Sequence, residues 1–314
     1  MDRSDPFFIV GCGRSGTTIL RLMFNAHPDV TIPPESQFIG RLVASWPRMI
    51  TGDGVDADAI VALIGRRLDH MEIDRDLARA RLRVLRDRTP RAATEAIFAI
   101  VTERAGKPRW ADKTPIQVEE IPTIAGVFPE ARFLHIIRDG RDVALSFIER
   151  SFGPRDVWDA ARLWERLVRG GMRAGAELGP RRYREVRYER LVASPEETLE
   201  ELCRFVDLDP RPEMLRFFER GGGDLTVSER ENHPNVSRPL TTGLRDWRTE
   251  MAPGDVEAFE AVAGPLLMEL GYERRFPNRS PSLTLKAFVE MRRRDVRAGR
   301  VAATRALRSS NART

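Results

Sequence analysis

A short glycine-rich turn between an apolar run and a helical pattern constrains the fold of this chain more than any other feature. The apolar run "FFIV" (7–10) precedes "GCGRSG" (11–16), and the apolar residues of "TTILRLMF" (17–24) then recur at helical spacing. A strand, a tight glycine turn and a helix N-terminus are together typical of loops whose backbone N–H groups hold phosphate. The turn therefore predicts an anion-binding loop at the start of an α/β fold.

Short β-rich runs alternate with longer helical patterns along the rest of the chain. The runs are "FFIV", "VTI", "RWAD", "RFLHII" and "RYREVRY". This alternation predicts a three-layer α/β fold, in which a central, mostly parallel sheet is flanked by helices. The stretch from about 55 to 106 reads as several helices without a strand, so we expect a helical insertion there.

Two familiar nucleotide-binding loops are compatible with these glycines. Gly11 to Gly16 fit the G-x-G-x-x-G pattern of Rossmann proteins that bind NAD(P), and Glu35 lies about where such folds place the acid that binds the ribose. Pro33 and Pro34 disturb the strand that this alternative needs.

The second alternative is the NTP-binding pattern G-x-x-x-x-G-K-[ST] of kinases and NTPases. Thr17 then occupies the lysine position, although that lysine normally contacts the β- and γ-phosphates. Asp112 in "RWAD" is the best candidate for a magnesium-binding acid.

A third interpretation uses a cation inside the loop. Arg14 offers a permanently charged, forked set of donors next to a helix N-terminus, so an anion can be held without a metal. The anion would contact the loop residues that follow Arg14, namely Ser15, Gly16, Thr17 and Thr18.

The segment "GCGRSGTTILRLMFNAHPDV" resembles the 5′-phosphosulfate loop of sulfotransferases that use 3′-phosphoadenylyl sulfate (PAPS). It is most similar to the tyrosylprotein sulfotransferases and their bacterial relatives. The resemblance covers roughly Pro6 to Tyr272. It implies a P-loop-like fold, PAPS as co-substrate, adenosine 3′,5′-bisphosphate as product and no metal.

Further motifs extend the resemblance along the chain. In "RFLHIIRDGRDVALSF", it implies that Arg138 at the end of a strand and Ser146 on the next helix grip the 3′-phosphate. Lys113 in "RWADKTP" is implied to stabilise charge on the transferring sulfonyl group, together with Arg14. Tyr188 is implied to lie near the cofactor.

A long Gly/Pro/Ser-rich loop (221–243) occupies the place of the family's C-terminal cofactor loop. Arg238 in "SRP" falls where a basic residue of the tyrosylprotein enzymes contacts PAPS. Ser228 aligns only loosely with a serine that assists Lys113. Trp247 and Arg248 look like the "GxW[RK]" feature of bacterial members, without a defined role.

The resemblance also implies a general base. Glu35 matches the catalytic glutamate of the tyrosylprotein enzymes and would accept the proton of an acceptor hydroxyl as the O–S bond forms. The alternative histidine bases, His27 and His135, lie in a turn and an apolar strand and read as structural. Gln37 replaces an arginine of the tyrosylprotein enzymes, so a small-molecule, carbohydrate or lipid hydroxyl is as good a candidate acceptor as tyrosine.

Composition sets the remaining boundaries. The net charge is +5, but residues 286–314 carry nine Lys/Arg against two Asp/Glu, a local +7, so the preceding residues sum to −2. We expect a sulfotransferase domain at 1–280 and a basic helical tail at 281–314, which could meet acidic lipid or an acidic partner. One aromatic residue in the tail argues against nucleic-acid binding.

Two distant cysteines, four scattered histidines and no long apolar run predict a metal-free, cytoplasmic protein.

Overall fold

A computed structural model describes residues 5–52, 54–149, 153–220, 225, 230 and 245–277 of the chain. Two residues singled out above, Ser228 and Arg238, lie outside the described residues, as does the basic tail at 281–314. Their predicted roles therefore stay predictions.

A five-stranded parallel sheet forms the centre of the fold, in the order β2-β3-β1-β4-β5. The strands are β1 (Phe7–Gly11), β2 (Val30–Thr31), β3 (Arg109–Lys113), β4 (Arg132–Ile137) and β5 (Tyr183–Arg187). Each strand coincides with one of the predicted runs. The alternating pattern was thus sufficient to find the strands, and the expected parallel α/β fold is confirmed.

The chain forms two compact units, one of residues 1–138 and 166–244 and the other of residues 139–165 and 245–314. The first unit contains the whole sheet and these helices: α1 (Thr17–Asn25), α2 (Ile39–Ser45), α3 (Ala57–Ile64), α4 (Arg66–His70), α5 (Arg75–Arg83), α6 (Pro90–Ala105), α7 (Ile121–Val127), α10 (Tyr188–Ala193) and α11 (Pro195–Phe205). Its short 3-10 helices are Trp46–Arg48, Pro115–Glu119, Pro212–Met214 and Phe217–Arg220. The second unit contains α8 (Gly140–Ile148), α12 (Trp247–Glu250) and α13 (Pro253–Glu269), and α9 (Val157–Leu178) has residues in both units.

Side chains of successive strand residues pack against different helical layers, as the period of two in a strand requires. On one face, Phe7 and Ile9 join a buried cluster with residues of α1, α10 and α11. On the other face, Phe8 stacks on Phe133 with ring centroids 5.4 Å apart and also contacts Trp110. Each such fully buried ring contributes about 1.5–3 kcal/mol by leaving water. The sheet is therefore the middle of three layers.

The expected helical insertion corresponds to helices α3 to α6, which span Ala57–Ala105. Their N-termini carry ordinary caps: the side chains of Asp56, Asp74 and Thr89 accept backbone N–H groups of α3, α5 and α6. Among the described helices, none is both long enough and apolar enough to span a bilayer.

Candidate active site

The strands of a parallel sheet all point in one direction, so the residues that follow their carboxyl ends meet at one edge. In this chain β1 leads into the glycine loop, the segment with Glu35 follows β2, and β3 ends in Lys113. Arg138 follows β4 and Tyr188 follows β5. Residues that are far apart in sequence are therefore gathered at the carboxyl edge of the sheet in the first unit.

The glycine loop has a strained backbone. Gly16 has a φ of +96° and Arg14 a φ of +69°. Residues other than glycine seldom adopt a positive φ. A Cβ at Gly16 would also overlap the ring of Tyr188. Glycine at this position therefore allows both the turn into α1 and the close approach of Tyr188, and strained backbone of this kind clusters at functional sites.

The N-terminus of α1 has backbone N–H groups that no capping side chain accepts, so an anion could accept them. Gly16 caps the helix and offers no side-chain acceptor to the first N–H groups. Ser15 is fully buried, and its Oγ has no hydrogen-bond partner within the part of the chain that the structure describes. Because a buried polar group without a partner costs roughly 1–3 kcal/mol, this hydroxyl fits a site completed by a bound ligand.

Arg138 and Tyr188 contact each other next to this loop. The guanidinium carbon of Arg138 lies 4.5 Å from the centroid of the Tyr188 ring, a cation–π contact. Tyr188 in turn lies against Gly16. Arg138 is 8% exposed, so its charge is held close to the loop rather than out in solvent. The predicted neighbourhood of the loop, Arg138 and Tyr188 is thus present.

Ser146, the predicted partner of Arg138, lies on α8 in the second unit and is buried. Within that unit, Asp139 caps α8 by accepting the N–H of Arg141 at 2.9 Å. The shared role of Arg138 and Ser146 on a phosphate stays a prediction.

Glu35 and Lys113 form the central ion pair of the site. Lys113 Nζ donates to Glu35 Oε1 at 2.9 Å; the lysine side chain is 2% exposed and the glutamate side chain 28%. Burial acts to raise the pKa of Glu35, but the Lys113 ammonium and the hydrogen bonds from Lys113 and Gln37 outweigh it, so the pKa lies below its usual value. Glu35 is therefore ionised at neutral pH and open to solvent on one side.

Gln37 links Glu35 to the helical insertion. Its Nε2 donates to Glu35 Oε2 at 2.8 Å, and Arg67 of α4 donates to its Oε1. The positive φ of Gln37, +50°, turns the side chain back toward Glu35. Arg67 also contributes to the low pKa of Glu35 through its charge. Arg67 is therefore connected to Glu35 through the Gln37 amide.

Asp112 is fully buried beneath this pair. Ser36 Oγ donates to its Oδ2 at 2.5 Å, and Thr114 Oγ1 lies 3.2 and 3.3 Å from its two oxygens. Burial raises the pKa of Asp112 to about 6, against the lowering effect of these hydrogen bonds. The acid that the kinase alternative takes as a magnesium ligand is thus fully buried and bonded to Ser36 and Thr114.

The two histidines considered as bases have structural contacts. His27 is fully buried, accepts the N–H of Asp29 at its Nδ1 and lies 2.8 Å from the carbonyl oxygen of Asp209. His135 Nδ1 lies 2.5 Å from the Tyr183 hydroxyl, and burial lowers the pKa of His135 to about 3. Both therefore read as core residues.

Trp247 and Arg248 also have packing partners within the second unit. Trp247 is buried with its ring centroid 3.5 Å from the Arg141 guanidinium carbon, and its backbone N–H donates to Asp142 Oδ1 at 2.9 Å. Arg248 pairs with Glu273. Trp247 and the buried Arg141 thus stabilise the second unit itself.

Sequence reasoning missed Ser36 and Arg67, and it considered Asp112 only as a metal ligand. An aspartate just before the motif lysine was a usable signal for Asp112. Nothing in the sequence around Arg67 distinguishes it from the other arginines of the helical insertion, because its role depends on where α4 lies.

Comparison with known proteins identifies the family. A sequence model of the sulfotransferase family matches residues 6–212 of the chain. A putative protein-tyrosine sulfotransferase from Caenorhabditis briggsae is 27% identical over 85% of this chain and 88% of its own. Protein-tyrosine sulfotransferase 1 of Danio rerio is 28% identical over 85% of this chain and 72% of its own.

The fold points the same way. The sulfotransferase domain from the Synechococcus PCC 7002 olefin synthase has a TM-score of 0.59 to this structure at 23% identity, covering 87% of this chain and 98% of that domain. At such an identity the likeness bears on the fold alone. With the family match extending over more than half of its length, the chain belongs to the sulfotransferase family and is a sulfotransferase enzyme related to the protein-tyrosine sulfotransferases.

Proposed function

We propose that this enzyme transfers the sulfuryl group of PAPS to an acceptor hydroxyl, with Glu35 as the general base. The observation that carries the proposal is the ion pair of Glu35 and Lys113, 2.9 Å apart at the carboxyl edge of the sheet that also bears the glycine loop. An anion-binding loop, a buried cation and a partly exposed carboxylate are the groups that sulfuryl transfer to a hydroxyl requires.

The nucleotide end of PAPS would be held by the loop and its neighbours. The α1 N-terminus, the Ser15 hydroxyl and Arg14 offer donors to the 5′-phosphosulfate. The unpartnered Ser15 Oγ supports this fit. The proposed further contacts are Gly16, Thr17, Thr18, Arg138, Ser146, Tyr188 and Arg238.

The reaction at the other end is an in-line displacement at sulfur. The acceptor oxygen forms a bond to sulfur, its proton moves to a Glu35 oxygen, and the bond from sulfur to the bridging phosphate oxygen breaks. Adenosine 3′,5′-bisphosphate leaves with the electron pair. Lys113 and Arg14 would stabilise the negative charge that develops on the leaving group, so no metal ion is needed in this scheme.

The depressed pKa of Glu35 limits how it can act. A carboxylate whose pKa lies below its usual value is far too weak a base to deprotonate a hydroxyl before the O–S bond begins to form. Glu35 therefore accepts the proton while the O–S bond forms, a contribution of typically 10²–10⁴ in rate.

The acceptor is a hydroxyl compound. The two relatives are named as protein-tyrosine sulfotransferases, one of them putative, which favours a tyrosyl hydroxyl. The other classes of acceptor hydroxyl should be tested as well as tyrosine, because the Gln37 amide is bonded to Glu35 and Arg67.

A radiolabel experiment tests the proposal. The full chain would be incubated with ³⁵S-labelled PAPS and one of four acceptors: an acidic tyrosyl peptide, 2-naphthol, a glucosamine disaccharide or a long-chain alcohol. We expect labelled product with at least one acceptor and a rate about 10²–10⁴-fold lower after Glu35→Gln. Adenosine 3′,5′-bisphosphate should raise the melting temperature, whereas ATP with magnesium or NAD should not. Stabilisation by ATP with magnesium alone would contradict the proposal.

We also propose a cytoplasmic location. Cys12 and Cys203 are both free and buried thiols, which suits a reducing compartment. Recovery of the protein in a membrane or secreted fraction would contradict this placement.

A further inference from the structure

The segment that carries Glu35 has little backbone pairing with the strand that carries Lys113. β2 pairs with β3 at only two positions, Val30 with Arg109 and Thr31 with Trp110. Pro33 and Pro34 follow, and a proline has no N–H with which to continue a ladder. Something other than the sheet must therefore set the position of Glu35 relative to Lys113.

A buried side-chain bond joins the two segments at this point. Ser36 Oγ donates to Asp112 Oδ2 at 2.5 Å, and both residues are fully buried. Thr114 Oγ1 bonds the same carboxyl group, and Gln117 Nε2 lies 3.4 Å from Ser36 Oγ. Hydrogen bonds to a charged acceptor are among the stronger ones in proteins, so this bond can hold the two segments together.

The bond is placed directly beside the reacting pair. Ser36 is next to Glu35 in the chain, and Asp112 is next to Lys113. Asp112 and Lys113 are successive residues of β3, so their side chains point to opposite faces of the sheet. The inner pair, Ser36 and Asp112, is therefore bonded in the interior while the outer pair, Glu35 and Lys113, meets on the other side.

We propose that Asp112 and Ser36 are positioning residues that hold Glu35 at its working distance from Lys113; we call this pair the Ser36–Asp112 clamp. The inference rests on the proposed function, since it assumes that Glu35 accepts the proton. Neither residue touches the acceptor. The clamp acts by replacing the strand pairing that Pro33 and Pro34 prevent. A displacement of about 1 Å at a reacting group can cost about 10²-fold in rate, so loosening the clamp should lower kcat.

The test combines Ser36→Ala with Glu35→Gln. The measurements are kcat and KM with the acceptor of highest rate in the panel above, the Kd for adenosine 3′,5′-bisphosphate, and the melting temperature. We expect Ser36→Ala to lower kcat by about 10–100-fold with the nucleotide Kd unchanged. Ser36→Thr, which keeps the hydroxyl, should recover most of this loss. In the Glu35→Gln background, Ser36→Ala should cause little further loss, because the group it positions is already gone.

Thr94→Ala is the matched control. Thr94 is likewise fully buried, and its hydroxyl donates within α6 to the carbonyl of Pro90 at 2.8 Å. Its loss should lower stability and leave kcat unchanged. A purely structural role for Ser36 would give the same result as this control.

The outcomes separate the two proposals. If Glu35→Gln lowers kcat by the expected 10²–10⁴-fold but Ser36→Ala keeps kcat within twofold, the clamp alone is overturned. Losses that multiply in the double variant also overturn it. If Glu35→Gln keeps the wild-type rate, the base assignment is wrong and the clamp has nothing to position, so both fail together.

Discussion

Two buried ion clusters in this enzyme use similar groups to different ends. In the first unit, the Lys113 ammonium is paired with a Glu35 side chain that is 28% exposed. In the second unit, Arg141 is fully buried and bonds Asp139 and Glu260, both at 2.7 Å, while its guanidinium stacks on Trp247. Glu260 also accepts the backbone N–H groups of Arg275 and Phe276 at 2.9 Å.

The difference lies in which lone pairs remain available. The carboxylates around Arg141 are enclosed and bonded on several sides, so the cluster holds segments of the chain together. Glu35 is accessible to solvent on one side, and its partner Lys113 carries a charge that can also stabilise a reacting group. A closed ion cluster stabilises, and one open to solvent is suited to chemistry. The four predictions that follow test this contrast.

The largest effect should come from Glu35→Gln. We expect kcat to fall about 10²–10⁴-fold because the proton acceptor is lost, with the melting temperature close to that of the wild type. Steady-state transfer of ³⁵S-sulfate and thermal melts measure both. The control is Glu119→Gln, since Glu119 forms only an exposed pair with Arg166. A comparable loss of activity in both variants would contradict the special role of Glu35.

Arg141→Met should have the opposite profile. Leaving Asp139 and Glu260 buried without their cation should cost about 3–5 kcal/mol of unfolding free energy. Urea denaturation of the purified variant measures this, and a chain recovered only in the insoluble fraction would count as the same result. Arg155→Met is the control, because that side chain is 87% exposed and should change stability by no more than about 0.5 kcal/mol. Equal stabilities for the two variants would contradict the closed-cluster interpretation.

Asp112→Asn should change how stability depends on pH. The pKa of Asp112 is raised from 3.8 to about 6 by burial. Between these values the unfolded chain has lost this proton while the folded chain keeps it, so the contribution of Asp112 to stability falls as pH rises from about 4 to 6. Asparagine removes this decline, on the order of 3 kcal/mol. Denaturation at pH 4 to 7 should show that the difference in unfolding free energy between the two proteins changes as pH rises. A constant difference would contradict the prediction.

The smallest effect should come from Arg67→Met. The pKa of Glu35 is held low, so kcat/KM should stay level as pH falls from 7 and decline only below the usual pKa of a glutamate, about 4.3. Removing Arg67 raises the pKa of Glu35, so the acidic limb of the profile should move to higher pH. The neighbouring Arg66 is exposed, and Arg66→Met should leave the limb in place. Coincident pH profiles of kcat/KM for all three proteins would contradict an influence of Arg67 on Glu35 through Gln37.

Much of the fold was readable from the sequence because its signals are local. Each strand coincided with a short apolar or β-rich run, and the glycine loop was found from its spacing and from Arg14. Glu35 and Lys113 were also identified, although only through the resemblance of the surrounding motifs to a known family. No local signal says that these two side chains are 2.9 Å apart.

The sequence by itself determined the parallel α/β architecture, the glycine turn between β1 and α1, and the residues that follow the carboxyl ends of the strands. Periodicity and turn chemistry depend on neighbours in the chain, and so they can be read from it. Only the tertiary structure decided that Asp112 bonds Ser36, that Gln37 connects Glu35 to Arg67, and that Arg141 belongs to a closed cluster. These outcomes depend on contacts between segments some 30 to 120 residues apart, whose geometry is set by packing.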